Sequence, residues 1–424
     1  MTYSVLTLSR RRLIGAAAAT LAMPALVRAQ GAGQVVVVGG GFGGATAARA
    51  LHRLGHKVTL VERAPNIVTC PFSNTVLGGF GAMADLVQGL DALAAEGITV
   101  VQATAEAVDA GGKTVTLSTG DVLPYDRLVL APGIRILLDA IPGYADGGEE
   151  KMPHAWKAGA QTEALSAQIA AMPQGGRLAI VAPAAPYRCP PGPYERASLI
   201  AHYFKQHNPT AKILILDAKE SFSKMPLFQQ AWEALYPGMI EWRPPSMGGN
   251  VVGVSPATMT IETDFMAETV DVANVIPPQQ AGDIAHLAGV ADGSGWCPVN
   301  AVTFESDLVP DIHIIGDAAF AGTMPKSAFT ANMNGKVVAR AIDALLRDAV
   351  PQTDVLVNTC YSLAAPDYGF TVAGVYRETD GKLAEVEGAG GISDPAAPPE
   401  YRVAEADYAR AWYQTITREV WGAA

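Results

Sequence analysis

The sequence predicts an α/β fold: two Rossmann-like units followed by a C-terminal α+β interface domain. Three observations carry this. Residues 35–51, VVVVGGGFGGATAARAL, run an apolar strand directly into a glycine-rich turn and an alanine-rich helix. Residues 177–217 repeat the strand–helix–strand order between RLAIVAP and KILILDA. A chain of 424 residues, 49% apolar and only 17% charged, is also long enough to bury two or three cores.

The first unit is the more complete. Gly39, Gly41 and Gly44 form a G-x-G-x-x-G turn, a helix follows to about residue 55, and HKVTLVE from residue 56 is a second strand closed by Glu62. Glycines let a pyrophosphate approach the backbone at a helix N-terminus, and Glu62, 23 residues past Gly39, is placed to accept from a ribose hydroxyl. Residues 77–97 read as helical. A strand and hairpin follow, with turns at Gly111-Gly112 and Gly120-Asp121, and then LVLAPG (128–133), whose small residues Ala131 and Gly133 end a buried strand. Pro142-Gly143 marks a boundary.

The second unit has the outline of a nucleotide fold without its phosphate turn. The turn reads APAAPYRCPPGP, and prolines 183, 186, 190, 191 and 193 remove donors and add bulk where a pyrophosphate would lie. Nicotinamide binding is therefore not expected. The turn presents Cys189 and, six residues on, Glu195, which is either a working acid or an ordinary first-turn carboxylate of a helix over about 194–205.

VDVANVIPPQQAGDI, from residue 270, is expected to return the chain to the first unit. There IHIIGDA (312–318) forms a buried strand with Asp317 at its end, placed to hold ribityl or ribose hydroxyls. A helix starting near Pro325 would aim its positive end, with Lys326, at the electron-rich edge of a flavin ring; alternatively Lys326 is a solvated first-turn lysine. From residue 351 the composition shifts to turn residues and aromatics, ending in a helix around 408–420. The expected division is 1–29 leader, 30–143 and 279–350 dinucleotide domain, 144–278 second unit, and 351–424 C-terminal domain.

Residues 9–30, SRRRLIGAAAATLAMPALVRAQ, read as a twin-arginine export signal cleaved after Ala29, giving a periplasmic protein. A membrane anchor is disfavoured by Pro24 and by the short apolar stretch, so no integral membrane segment is expected in the mature chain. Removal of the leader takes the formal charge from −11 to −15. That acidity excludes nucleic acid as a partner and either attracts a basic protein or serves solubility. The four cysteines, Cys70, Cys189, Cys297 and Cys360, are too few and too scattered for a disulfide scaffold, so each is a candidate for chemistry. Cys297 alone reads better as a small buried hydrophobe.

RCPPGPYERAS, WCPVNAVTFES, IGDAAFAGTMPKSA, NTCYSLAAPDYGFTVAGVYR and, around Cys70, TCPFSN make the chain resemble the flavoprotein subunit of flavocytochrome c sulfide dehydrogenase. This is an exported relative of the sulfide:quinone oxidoreductases in the glutathione-reductase-like superfamily. The resemblance runs from about residue 34 to the last helix. It implies FAD as cofactor, carried covalently through Cys70, a redox disulfide between Cys189 and Cys360 beside the flavin, and Glu195 as a nearby acid/base. On the residues alone, a bridge closing a 171-residue loop could equally be structural. The implied activity is oxidation of sulfide to polysulfide or sulfur, with electrons passed to a c-type cytochrome. No C-x-x-C-H occurs, so the haem would belong to another chain. Two other readings are a sulfide:quinone oxidoreductase and a flavin-bearing accessory protein of a thiosulfate-oxidising system.

Overall fold

A computed structural model describes residues 33–422, so the expected leader lies outside the described residues. In chain order the elements that build the site are β1 (Gln34–Val38), α1 (Phe42–Arg53), β2 (Lys57–Glu62), β3 (Thr99–Gln102) and β4 (Arg127–Leu130). They continue with β5 (Arg177–Ala182), α2 (Gly192–His207), β6 (Lys212–Asp217), α3 (Met225–Leu235), β7 (Ile240–Arg243) and β8 (Val272–Val275). Last come β9 (Ile312–Ile314), α4 (Ala328–Leu346), β10 (Leu356–Ala365), β11 (Tyr368–Thr379) and α5 (Pro399–Trp421).

Two parallel sheets result, in the strand orders β9-β4-β1-β2-β3 and β7-β6-β5-β8. Val35, Val36 and Val37 of β1 are wholly buried, because α1 and α4 cover this sheet and a parallel strand hides both its faces. This is the two-unit α/β fold expected of the sequence. β10 and β11 pair antiparallel, with Cys360 opposite Val372, and α5 packs along them. Arg49 of α1 donates to the carbonyls of Glu419 and Gly422, and the Trp421 indole N–H donates to the Gly40 carbonyl at 3.0 Å. The end of α5 is thereby fixed to the first glycine turn.

Some boundaries differ from expectation. Residues 77–97 do not form one helix: Ser73–Leu77 and Asp91–Ala95 are short helices separated by a 3-10 turn, Met83–Leu86. Glycines at 78, 79, 81 and 89 interrupt the apolar spacing, and Gly79 takes φ +78°. The segment from residue 270 crosses back at the expected boundary, 279. β8 completes the second sheet, and Gln279–Ala281, pairing with Ile134–Ile136, makes the crossing. α4 starts at Ala328 rather than near Pro325, capped by Ser327, whose hydroxyl accepts from the Thr330 N–H at 3.0 Å. α5 starts nine residues before position 408, with Pro399 at its first position.

Candidate active site

The site begins at the glycine turn. A Cβ on Gly44 would collide with the Gly39 carbonyl, and one on Gly39, at φ +104°, with the Ala131 carbonyl; a Cβ on Gly41 would meet no protein atom. Two glycines therefore close the turn against β4, while the third leaves an open strip at the N-terminus of α1. Glu62, at the end of β2, accepts from the Gly40 N–H at 2.7 Å and the Ala64 N–H at 3.0 Å. It lines a cavity together with Gly39, Gly41, Ala131 and Gly133, and each of its oxygens keeps a lone pair for a further donor. A neighbouring cavity runs from Gly41 past Gly133 to Asp317 and Cys70. Glycines without a facing atom, a strand-end carboxylate and a second carboxylate further along fit an FAD laid across the sheet edge.

Cys70, Pro71, Arg188 and Ala328 also line a third cavity. Its walls include Cys189, Glu195 and Cys360. Cys189 sits in the proline-rich turn before α2, at φ 58°, with its N–H donating to the Lys326 carbonyl at 3.0 Å; Cys360 comes from the middle of β10. Burial, then the proximity of Cys360 and Glu195, pushes the Cys189 thiol well above its ordinary range. The Cys70 thiol donates to the Trp156 carbonyl at 3.5 Å.

Glu195 is held on both oxygens, by the Leu363 N–H at 2.9 Å and the Asn74 amide at 2.8 Å. Arg196 donates to the Asn74 carbonyl oxygen at 3.0 Å, and this sets the amide so that its NH₂ faces Glu195. Burial raises the Glu195 carboxyl above its usual value, and the two N–H donors pull against that rise.

Lys326 differs from expectation. Its ammonium donates to the carbonyls of Asp317 and Ala319, both at 2.8 Å, and lies 3.9 Å from the centre of the Trp296 ring. Burial lowers it to about 8. It is a packing residue and lines none of the three cavities; its carbonyl, not its charge, reaches Cys189. Cys297 is fully buried beside it, in keeping with a small hydrophobe, and burial pushes its thiol up to about 12.

Two residues escaped the sequence reading. Asn74 is one, and Lys224 is the other. Lys224 is only 4% exposed, and its ammonium donates to the Cys360 carbonyl at 2.8 Å and the Ser362 hydroxyl at 2.7 Å, 3.7 Å from the Cys360 sulfur. Lys224 is 136 residues from Cys360 in the chain, so no local pattern could have paired them.

Three family models match: sulfide dehydrogenase [flavocytochrome c] flavoprotein chain, central, over residues 162–277; flavocytochrome c sulphide dehydrogenase, flavin-binding, over 352–421; and pyridine nucleotide-disulphide oxidoreductase over 33–181. The sulfide dehydrogenase [flavocytochrome c] flavoprotein chain of Chlorobaculum thiosulfatiphilum is 58% identical over 48 residues, 11% of this chain and 100% of that sequence. An NADH dehydrogenase-like protein of Mycobacterium tuberculosis is 38% identical over 120 residues, so the match spans 27% of this chain and 30% of that one. The solved sulfide:quinone oxidoreductase of Aquifex aeolicus shares the fold at a TM-score of 0.71 and 18% identity, over 92% of each chain. The glycine turn, the flavin-binding match and the sulfur-lined cavity converge: the chain belongs to the flavoprotein family of flavocytochrome c sulfide dehydrogenase.

Proposed function

We propose that this chain is an exported, FAD-dependent sulfide dehydrogenase that works through Cys189 and Cys360 and delivers electrons to a c-type cytochrome. The observation that carries the reading is one cavity lined by Cys189, Cys360 and Glu195 that shares Cys70 with the wall of the cradle that begins at Gly41. Gly39, Gly41 and Gly44 with the α1 N-terminus would hold the FAD pyrophosphate, Glu62 the adenosine ribose and Asp317 the ribityl end; Ala131 and Gly133 would floor the cleft, and Cys70 would be the covalent tether.

Cys189 and Cys360 act as a disulfide in the resting form. Hydrosulfide attacks one sulfur; the Cys–Cys bond breaks, a bond between substrate sulfur and protein sulfur forms, and the other cysteine leaves as a thiolate. No net proton moves in this exchange, and Glu195 then holds or returns the persulfide proton. When bound, FAD supplies a two-electron acceptor that can release its electrons singly. A second sulfide or thiol releases the product as polysulfide or sulfur. The acidic mature surface favours a basic face on the cytochrome.

The deciding experiment is a sulfide titration of the visible flavin spectrum. Cys189→Ser and Cys360→Ser should keep FAD and lose bleaching to below about 1% of the wild-type rate; bleaching that persists in either variant removes the disulfide mechanism. In-gel flavin fluorescence after denaturation should survive in the wild type and vanish in Cys70→Ala. Cytochrome reduction should slow as salt is raised.

A further inference from the structure

Lys224 stands behind Cys360, in the loop that leads into α3, at φ 63°. Its ammonium is almost removed from water, and the atoms it touches are a carbonyl, a hydroxyl and a sulfur; among the described residues no carboxylate lies within ion-pair distance of it, and Glu195 feels its charge from further off. A buried cation without a contacting counter-anion is costly, so a negative group that arrives beside it is stabilised. The nearest atom able to become one is the Cys360 sulfur, at 3.7 Å. The other charged or titratable groups facing the sulfur pair are Glu195, Arg188 and Tyr187, and Arg196 backs Glu195.

We propose that Lys224 is the fixed counter-cation of the sulfur centre, holding negative charge on the sulfur at Cys360 each time the Cys189–Cys360 bridge is opened. The proposal deepens the sulfide dehydrogenase reading and rests on it for the identity of the attacking anion. Hydrosulfide brings one negative charge into the cavity. Attack at Cys189 forms the persulfide there and expels Cys360 as thiolate beside the ammonium. Attack at Cys360 places the persulfide on Cys360, and a persulfide is more acidic than a thiol, so its proton passes to Glu195 or to the Cys189 thiolate. In both orders one S–S bond breaks, one forms, and a negative sulfur comes to lie against Lys224. Because the Cys360 carbonyl and the Ser362 hydroxyl pin the ammonium, little rearrangement is needed when the charge arrives.

The test uses the full flavin-loaded chain reduced with dithiothreitol, with iodoacetamide alkylation at Cys360 followed by peptide mass spectrometry. At neutral pH, Lys224→Met and Lys224→Gln should alkylate about tenfold more slowly than wild type, and Lys224→Arg should recover to within about threefold. The gap should narrow as the pH is raised from about 6 to about 9.5, because added base replaces the missing cation in ionising the thiol. Glutamine keeps hydrogen bonding without charge, so it serves if the methionine variant does not fold. Equal rates in the neutral variants, or a loss that pH does not narrow, would overturn the proposal. In parallel, wild-type disulfide protein treated with sulfide is searched for a persulfide on either cysteine. Its absence sinks the sulfide reading and leaves the alkylation ratio to decide Lys224.

Discussion

The two Rossmann-like units share a topology and end their second strands on a carboxylate, yet the two carboxylates live differently. Glu62 lines an open cavity and has lone pairs to offer. Asp217 is wholly buried: it accepts from the Tyr194 hydroxyl at 2.5 Å, the Trp242 indole at 2.9 Å and the Lys219 ammonium at 2.6 Å. Tyr194 and Phe222 stack at 3.6 Å, and Trp232 and Trp242 crowd Phe222. The first unit keeps its crevice for a nucleotide. The second has filled the ribose end with aromatic rings and converted its phosphate turn into the carrier of Cys189, so one fold serves twice, once to bind and once to present a sulfur.

The comparison can be broken most severely at the glycine turn. Gly44→Val should abolish flavin retention, read as visible absorbance per purified chain, because the added carbons have no space against the Gly39 carbonyl. Asp217→Ala strands three donors in the core and should cost about 3–5 kcal/mol in denaturant unfolding, with flavin retained; flavin loss at equal stability would show that the second unit also binds a nucleotide. In a Cys70→Ala background, where flavin can exchange, Glu62→Ala should weaken flavin binding by about 1.5–3 kcal/mol, the usual worth of a hydrogen bond to a charged group.

Smaller effects sharpen the picture at the two supporting side chains. Asn74→Ala removes a donor that favours the ionised Glu195, so the Glu195 carboxyl should rise further and the acid limb of the bleaching rate should move to higher pH. Lys326→Met should leave bleaching within about threefold and alter only a stability slope. Native Lys326 loses its proton near 8, against 10.5 for the unfolded chain, so across that window the unfolded state binds more protons and wild-type stability rises with pH. The variant should lack that rise.

What could be read in the sequence was chemistry written locally. The Gly39–Gly44 turn, the strand-end position of Glu62, and the proline-laden turn at Cys189 each depend on neighbours a few residues away, and all three stand where expected. The misreadings share a cause. Residues 77–97 carry apolar spacing but too many glycines, and the start of α5 was signalled by Pro399 and Glu400, which fall in a stretch dominated by turn residues. Lys326 looked suited to an anion from its place near a helix start; two carbonyls and the Trp296 ring took its charge instead. Lys224 had no signal at all, and Asn74 closed the TCPFSN motif without a role, because only the folded chain brings them to Cys360 and Glu195.

The bond from the Trp421 indole to the Gly40 carbonyl, with Arg49 gripping the carbonyls of Glu419 and Gly422, joins the last turn of α5 to the glycine turn of the first unit. The two lie 381 positions apart, so a ribosome must add that whole stretch before the turn gains this support. Trimming the chain ahead of residue 419 should therefore be felt first as flavin that fails to load, at a motif far from the cut in the chain.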